Sequence, residues 1–100
     1  MKDLEHHRVE IADHIATVTV DRPPVNAQNR ALREEGIAIF DALGDMEEVR
    51  VVILTAAGKY FSAGADIKER QSFEPDPGHY TNHNRLTREY FYAVEDCPKP

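Results

Sequence analysis

The sequence predicts an α/β fold built around a parallel sheet. Three observations carry that prediction. Residues 9–20 form two short β-type runs around a tight turn, residues 29–46 switch to helical spacing, and "VVILT" at 51–55 is an unbroken apolar run. Strand, helix, apolar strand is the βαβ order, which sets the two flanking strands parallel through a right-handed crossover.

The first strands lie in "RVEIADHIATVTVDRP", at 9–12 and 15–20, with Asp13-His14 between them. The flanks are rich in Val, Ile and Thr, and Asp and His tolerate turn geometry, so a hairpin is expected. Arg22-Pro23-Pro24 ends the second strand, because proline cannot donate to a sheet ladder. From Asn29, the residues Leu32, Gly36, Ile39, Phe40, Leu43 and Met46 recur at helical spacing, while Arg30, Arg33, Glu34, Asp41 and Asp45 fall on other faces. That pattern predicts a helix covering one side of the sheet. The run at 51–55 has no alternation, as expected of a central strand buried on both faces. "QSFEPDPGH" (71–79) reads as a loop, and its few apolar anchors predict that 72–79 is mobile until a ligand orders it. A second amphipathic helix follows, with His83, Leu86, Tyr90, Ala93, Val94 and Cys97 on one stripe. Pro98 stops it, and Lys99-Pro100 is extended, as on the approach to another strand.

Composition narrows the function classes. One hundred residues hold one small domain, and 30% charged against 41% apolar residues is ordinary for a soluble globular protein. Twelve basic against 18 acidic residues, with no basic cluster, argue against a nucleic-acid partner. The longest apolar run is far shorter than a bilayer requires, and "MKDLEHHRVE" lacks the apolar core of a signal peptide, so no membrane association is expected. The single cysteine, Cys97, excludes an internal disulfide and suits a reducing compartment, so a cytoplasmic location is expected.

The segment with the clearest chemical content is "KYFSAGADIKER" (59–70), which follows the apolar run. It is not a Walker A loop, since Gly64 is followed by Ala65-Asp66; it lacks the three glycines of a dinucleotide fingerprint; and Tyr60 stands where a nucleophile elbow needs glycine before Ser62. Gly64 can adopt backbone angles denied to other residues, and Ala65 adds only a methyl group. Asp66 and Glu69 have capping-box spacing, so a helix is expected from about Ile67. The Ala65 amide would then sit beside a helix N-terminus, where partial positive charge favours an anion. Two readings follow: a donor in an oxyanion hole, or a tight turn that caps a helix. Spacing alone does not choose between them.

"FSAGADIKE" (61–69), preceded by "VRVVILTAAGK" (49–59), resembles the signature of the crotonase superfamily, the enoyl-CoA hydratase/isomerase group. "ATVTVDRPPVNAQN" (16–29) is similar to that family's first strand and loop, and "CPKP" (97–100) to its lead into the next strand. The resemblance implies repeated ββα units, assembly as trimers or dimers of trimers, and action on acyl-CoA thioesters. It implies that the Ala65 amide is one of two donors holding the thioester oxygen as an enolate. Ala63, Asp66 and Ile67 would lie along the CoA adenine, with Gly64 allowing close backbone approach, Lys68 near the phosphates and Val25 near the bound CoA. No metal and no separate cofactor are implied, coenzyme A being part of the substrate. The family's second donor glycine and its catalytic glutamates follow the "PKP" position, so residues 1–100 are expected to be the N-terminal part of one crotonase-like domain. The reaction implied is syn hydration of a 2,3-enoyl-CoA. Isomerase or other lyase chemistry on the same scaffold, and a non-catalytic acyl-CoA-binding or assembly subunit, are the alternatives.

The remaining candidates have plainer readings. His79 and His83 are one helical turn apart, but "YTN" between them offers no glutamate and no third ligand, so surface or packing roles are expected. His6 and His7, and Glu47 and Glu48, read as solvated. Tyr90, Phe91 and Tyr92 could line an acyl pocket or pack in a core or subunit contact. Cys97 reads as a small buried residue at a helix end.

Overall fold

A computed structural model describes residues 3–71 and 77–100. The elements in chain order are β1 (His7–Ala12), β2 (Ile15–Val20), α1 (Arg30–Asp45), β3 (Val51–Ala56), α2 (Ile67–Gln71) and α3 (Pro77–Glu95). The sheet has the order β1-β2-β3 and is mixed, with β1 and β2 antiparallel and β2 and β3 parallel. Among the described residues, no helix is long and apolar enough to cross a membrane.

The β1–β2 hairpin turns on two residues in the left-handed region, Asp13 (φ 53°) and His14 (φ 68°). Such a turn matches the twist of the flanking strands. His14 Nδ1 lies 2.9 Å from the Glu48 carbonyl, and the Arg50 N–H donates to the His14 carbonyl at 2.8 Å. The turn is thereby tied to the entry of β3.

Helix α1 begins where Asn29 Oδ1 accepts the Leu32 N–H at 2.9 Å, a side-chain N-cap that satisfies one orphan donor of the first turn. Its buried stripe includes Leu32, Gly36, Ile39, Phe40 and Leu43. It covers the sheet face that presents Ala16, Val18 and Val20, so the core forms from Ala16, Val18, Ile39, Leu43 and Val49, with Val20, Leu32 and Tyr90 beside it. On its other side α1 receives α3, and Tyr90 lies against Gly36. Arg33, expected on an outer face, is instead 2% exposed. The α1–α3 contact covers it, with Nη1 at 3.5 Å from His83 Nδ1 and 3.9 Å from Glu69 Oε1.

The strand at 51–55 departs from its expectation. β3 is parallel to β2, as the βαβ order requires, but it is an edge strand rather than a central one. Val52, Leu54 and Ala56 are half-buried on the α1 side, while Val51, Ile53 and Thr55 are exposed on the other. An unbroken apolar run cannot reveal that only one face and one edge are covered within this chain. On the second edge the Val52 N–H donates to the Pro100 carbonyl at 2.9 Å. Lys99 secures that end of the chain, its ammonium donating to the carbonyls of Leu43 (2.9 Å) and Met46 at the close of α1.

His7 corrects a second expectation. It is 3% exposed, with Nδ1 2.9 Å from Glu35 Oε1, and Nε2 has no partner among the described residues. The same carboxylate accepts the N–H groups of Glu5 and His6, at 2.8 and 2.9 Å, and so fastens the start of β1 to α1. Burial pushes the His7 pKa below its ordinary 6.5, against the opposing pull of Glu35. Burial raises the Glu35 carboxyl, but the Glu5 N–H, the His7 ring and the His6 N–H together leave it below its ordinary value.

A folded-state pKa depressed below 6.5 means the unfolded chain takes up a proton that folded His7 resists. Stability is therefore full above 6.5 and declines as pH falls from there through the folded value. The melting temperature is expected to drop between about pH 7.5 and about pH 5.5. His7→Gln, which keeps a donor toward Glu35 and cannot titrate, should flatten that segment of the curve. An equal slope in the variant would assign the pH dependence to other groups.

The segment expected to be a mobile loop, 72–79, lies outside the described residues at 72–76. Its last three residues form the first turn of α3, which opens on Pro77. Proline is well suited to a first helical position, where its missing N–H has no intrahelical partner to lose. The stripe predicted for α3 is present up to Val94: Tyr90 is buried, and His83, Leu86, Ala93 and Val94 are half-buried. But α3 ends at Glu95, so Cys97 follows the helix and is half-buried rather than buried.

Candidate functional site

Two loops leave the same end of the parallel pair: 21–28 follows β2, and 57–66 follows β3. Their junction is organised by Asn26, which is 3% exposed and left-handed at φ 55°. Its Oδ1 accepts the Arg22 N–H at 2.8 Å, and its Nδ2 donates to the carbonyls of Ala57 (2.9 Å) and Tyr60 (2.8 Å). Its own carbonyl accepts the Ser62 hydroxyl at 2.8 Å. One buried amide thus closes the proline loop and pins the second loop to it.

Beyond Asn26 the two loops pair as a short parallel ladder. The Ala63 N–H donates to the Val25 carbonyl (2.9 Å), the Gln28 N–H to the Gly64 carbonyl (2.7 Å), and the Asp66 N–H to the Gln28 carbonyl (2.9 Å). The Gly64 N–H donates to Ser62 Oγ at 3.0 Å. In a trans peptide the C=O and N–H point in opposite directions. Because the Gly64 carbonyl faces Gln28, the Ala65 N–H faces away from the proline loop. Among the described residues no group accepts it. It is the one amide from 63 to 66 left without a partner. Gly64 has φ 95°, and a Cβ built there would meet nothing within 4 Å. Glycine is needed at 64 for its backbone angle, and the space in front of it is open.

The helix expected from about Ile67 begins there, but it is short. α2 has five residues, so its dipole is weak, and the donor strength at 65 rests on the aligned N–H itself. The capping box is only half made. Asp66 Oδ1 accepts the Glu69 N–H at 3.2 Å, whereas Glu69 Oε2 accepts the Arg30 N–H at 2.8 Å and so caps α1 instead of α2. Asp66 Oδ2 also takes a charge-assisted bond from Arg22 Nη1 (2.9 Å), which reaches the Ala27 carbonyl as well (2.8 Å). Arg22, then the Glu69 N–H, hold the Asp66 carboxyl below its ordinary value.

Of the residues singled out from the sequence, Val25, Ala63, Gly64, Ala65 and Asp66 are brought together by this ladder. Ile67 and Lys68 stand exposed on the first turn of α2, Ile67 at 69%. The Asp66 side chain turns inward as a cap. Sequence reasoning missed Arg22, Asn26 and the role of Ser62. Asn26 had a signal, because asparagine after a proline turn is a common left-handed residue. Tyr90 is buried against α1, while Phe91 and Tyr92 are exposed on α3. His79 and His83 line a cleft of about 670 Å³ with Arg30, Glu34, Glu69 and Glu89. Ala65 does not line that cleft.

Residues 10–100 match the profile of the family described as enoyl-CoA hydratase/isomerase. The chain belongs to this family. It is 46% identical, over 88% of this chain and 34% of the relative, to the (7aS)-7a-methyl-1,5-dioxo-2,3,5,6,7,7a-hexahydro-1H-indene-carboxyl-CoA hydrolase of Rhodococcus jostii. The structure of an enoyl-CoA hydratase/carnithine racemase from Magnetospirillum magneticum superposes with TM-score 0.90 at 29% identity, over 98% of this chain and 38% of that one. An enoyl-CoA hydratase from Bacillus anthracis superposes with TM-score 0.87 at 32% identity, over 96% and 38%. The chain spans about a third of the length of the curated relatives it matches. The mixed sheet with helices seen here is the N-terminal portion of the enoyl-CoA hydratase/isomerase fold.

Proposed function

We propose that this chain supplies one of two hydrogen-bond donors that hold the thioester oxygen of an acyl-CoA, and that the reaction served is hydration of a 2,3-enoyl-CoA. The supporting observation is the Ala65 N–H, unpaired among the described residues in a loop whose neighbouring amides are all bonded. As water adds at C3, the electron pair of the double bond moves toward the thioester carbonyl and its oxygen gains negative charge. A pre-aligned N–H stabilises that charge more than it stabilises the neutral carbonyl, which lowers the barrier. The Gln28 N–H bond to the Gly64 carbonyl polarises the same peptide and sharpens its donor end.

In this reading CoA runs past the exposed residues Ala63, Gly64, Ile67 and Lys68, with Val25 beside it and the Lys68 ammonium toward the phosphates. Asp66 contributes through its backbone, since its carboxylate is bound to Arg22. The substrate brings its own CoA and no further cofactor is invoked. Assembly as a trimer or a dimer of trimers, in the cytoplasm, belongs to the same proposal.

The 46% identical hydrolase favours a second reading, water attack on a cyclic carboxyl-CoA substrate whose carbonyl accepts from the same N–H. Incubation with crotonyl-CoA separates the two. Loss of the conjugated-thioester absorbance supports the hydratase; an unchanged spectrum, together with turnover of the dioxo-hexahydroindene carboxyl-CoA, supports the hydrolase. No response to either ester, by turnover or by binding, would overturn the acyl-CoA reading.

A further inference from the structure

We propose that Ser62 is a positioning residue for the Ala65 donor, its hydroxyl setting the torsion that glycine leaves free. The inference rests on the reading of Ala65 as a thioester donor. Gly64 precedes that donor and has no Cβ to restrict its backbone, so its φ of 95° must be held by hydrogen bonds on both sides. On the carbonyl side the Gln28 N–H does this at 2.7 Å. On the amide side the only acceptor among the described residues is Ser62 Oγ, at 3.0 Å.

The hydroxyl is itself oriented. It donates to the Asn26 carbonyl at 2.8 Å, which turns its lone pairs toward the Gly64 N–H. Asn26 is in turn buried and fixed through both ends of its side chain. A chain of bonds therefore runs from the proline loop through one hydroxyl to the Ala63–Gly64 peptide, which adjoins the Gly64–Ala65 peptide that carries the donor. Removing the hydroxyl frees the Ala63–Gly64 peptide to tilt, so the Gly64 torsions can drift and the Gly64–Ala65 plane is left to the Gln28 N–H alone. A ligand oxygen would meet a donor that no longer points at it.

The test is amide NMR on Ser62→Ala and Ser62→Thr, with crotonyl-CoA as the probe. In Ser62→Ala, hydrogen exchange at Gly64 is expected to rise about tenfold while β2 and β3 keep their protection. The downfield shift of the Ala65 proton on adding crotonyl-CoA should shrink to less than about half that of the parent. Threonine restores the hydroxyl and should restore both readouts, which a general loosening of the fold would not do. Unchanged Gly64 exchange and an unchanged Ala65 response in Ser62→Ala would overturn the positioning role while leaving Ala65 as the donor. An Ala65 proton that ignores crotonyl-CoA in the parent would overturn the donor reading itself, and the positioning role with it.

Discussion

Ala65→Pro is expected to reduce acyl-CoA turnover in the active protein by about a hundredfold to a thousandfold, the cost of one oxyanion donor, whereas Ala65→Ser should keep most of the activity. The group proposed to act is a backbone amide, and proline removes it while serine retains it. Among the described residues the Ala65 N–H has no acceptor, so its loss breaks no bond described in the fold. The remaining risk is the restriction proline places on Gly64, which sits at φ 95°. Each variant should therefore show the parent's assembly state and melting transition before its rate is read. Serine adds one oxygen at a half-buried position and keeps the backbone N–H. A folded proline variant with near-parent turnover would reduce Ala65 to part of a helix cap.

Gly36→Ala is expected to destabilise the chain by about 1–3 kcal/mol, a cost typical of overpacking a filled core. A Cβ at 36 would overlap Tyr90 Cε1 and lie 3.0 Å from Cδ1, so the ring would have to shift. Tyr90 is 4% exposed and belongs to the cluster with Val20 and Leu32, so the ring has nowhere to retreat without opening the α1–α3 contact. For a domain this size the melting temperature should fall by roughly 4–8 °C per kcal/mol. Tyr90→Ala alone should cost about 3–5 kcal/mol, as for other buried aromatics truncated to alanine. In the double variant the clash is gone, so its loss should be smaller than the sum of the two single losses. Thermal and urea unfolding would measure all three. Additive losses, or a Gly36→Ala variant that melts with the parent, would show that α3 does not need glycine at this crossing.

The sequence patterns that proved reliable are those set by near neighbours. Alternation around Asp13-His14 specified a hairpin because two residues with left-handed tolerance suffice to reverse a strand. Asn29 and the stripe from Leu32 to Leu43 specified α1 because capping and periodicity act within one or two turns. Asp66 marked the start of α2 in the same way. Patterns that depend on a distant partner were misread. Arg33 and His7 look like surface residues until α3 and Glu35 cover them. Glu69 has capping spacing for its own helix, yet its carboxylate accepts the Arg30 N–H.

By itself, then, the sequence determined the order of elements, the turn and cap positions, and the small-residue segment where a backbone could meet a thioester. The direction of the Ala65 amide was decided only by tertiary structure. That direction depends on the Gln28 N–H reaching the Gly64 carbonyl, a pairing between residues 36 positions apart. Parallel alignment of β2 with β3 brings their following loops to one end of the sheet, and only there can one loop orient a peptide of the other. Local spacing carries no information about which way an unpaired N–H will face, because its orientation is fixed by the partner of the carbonyl on the same peptide.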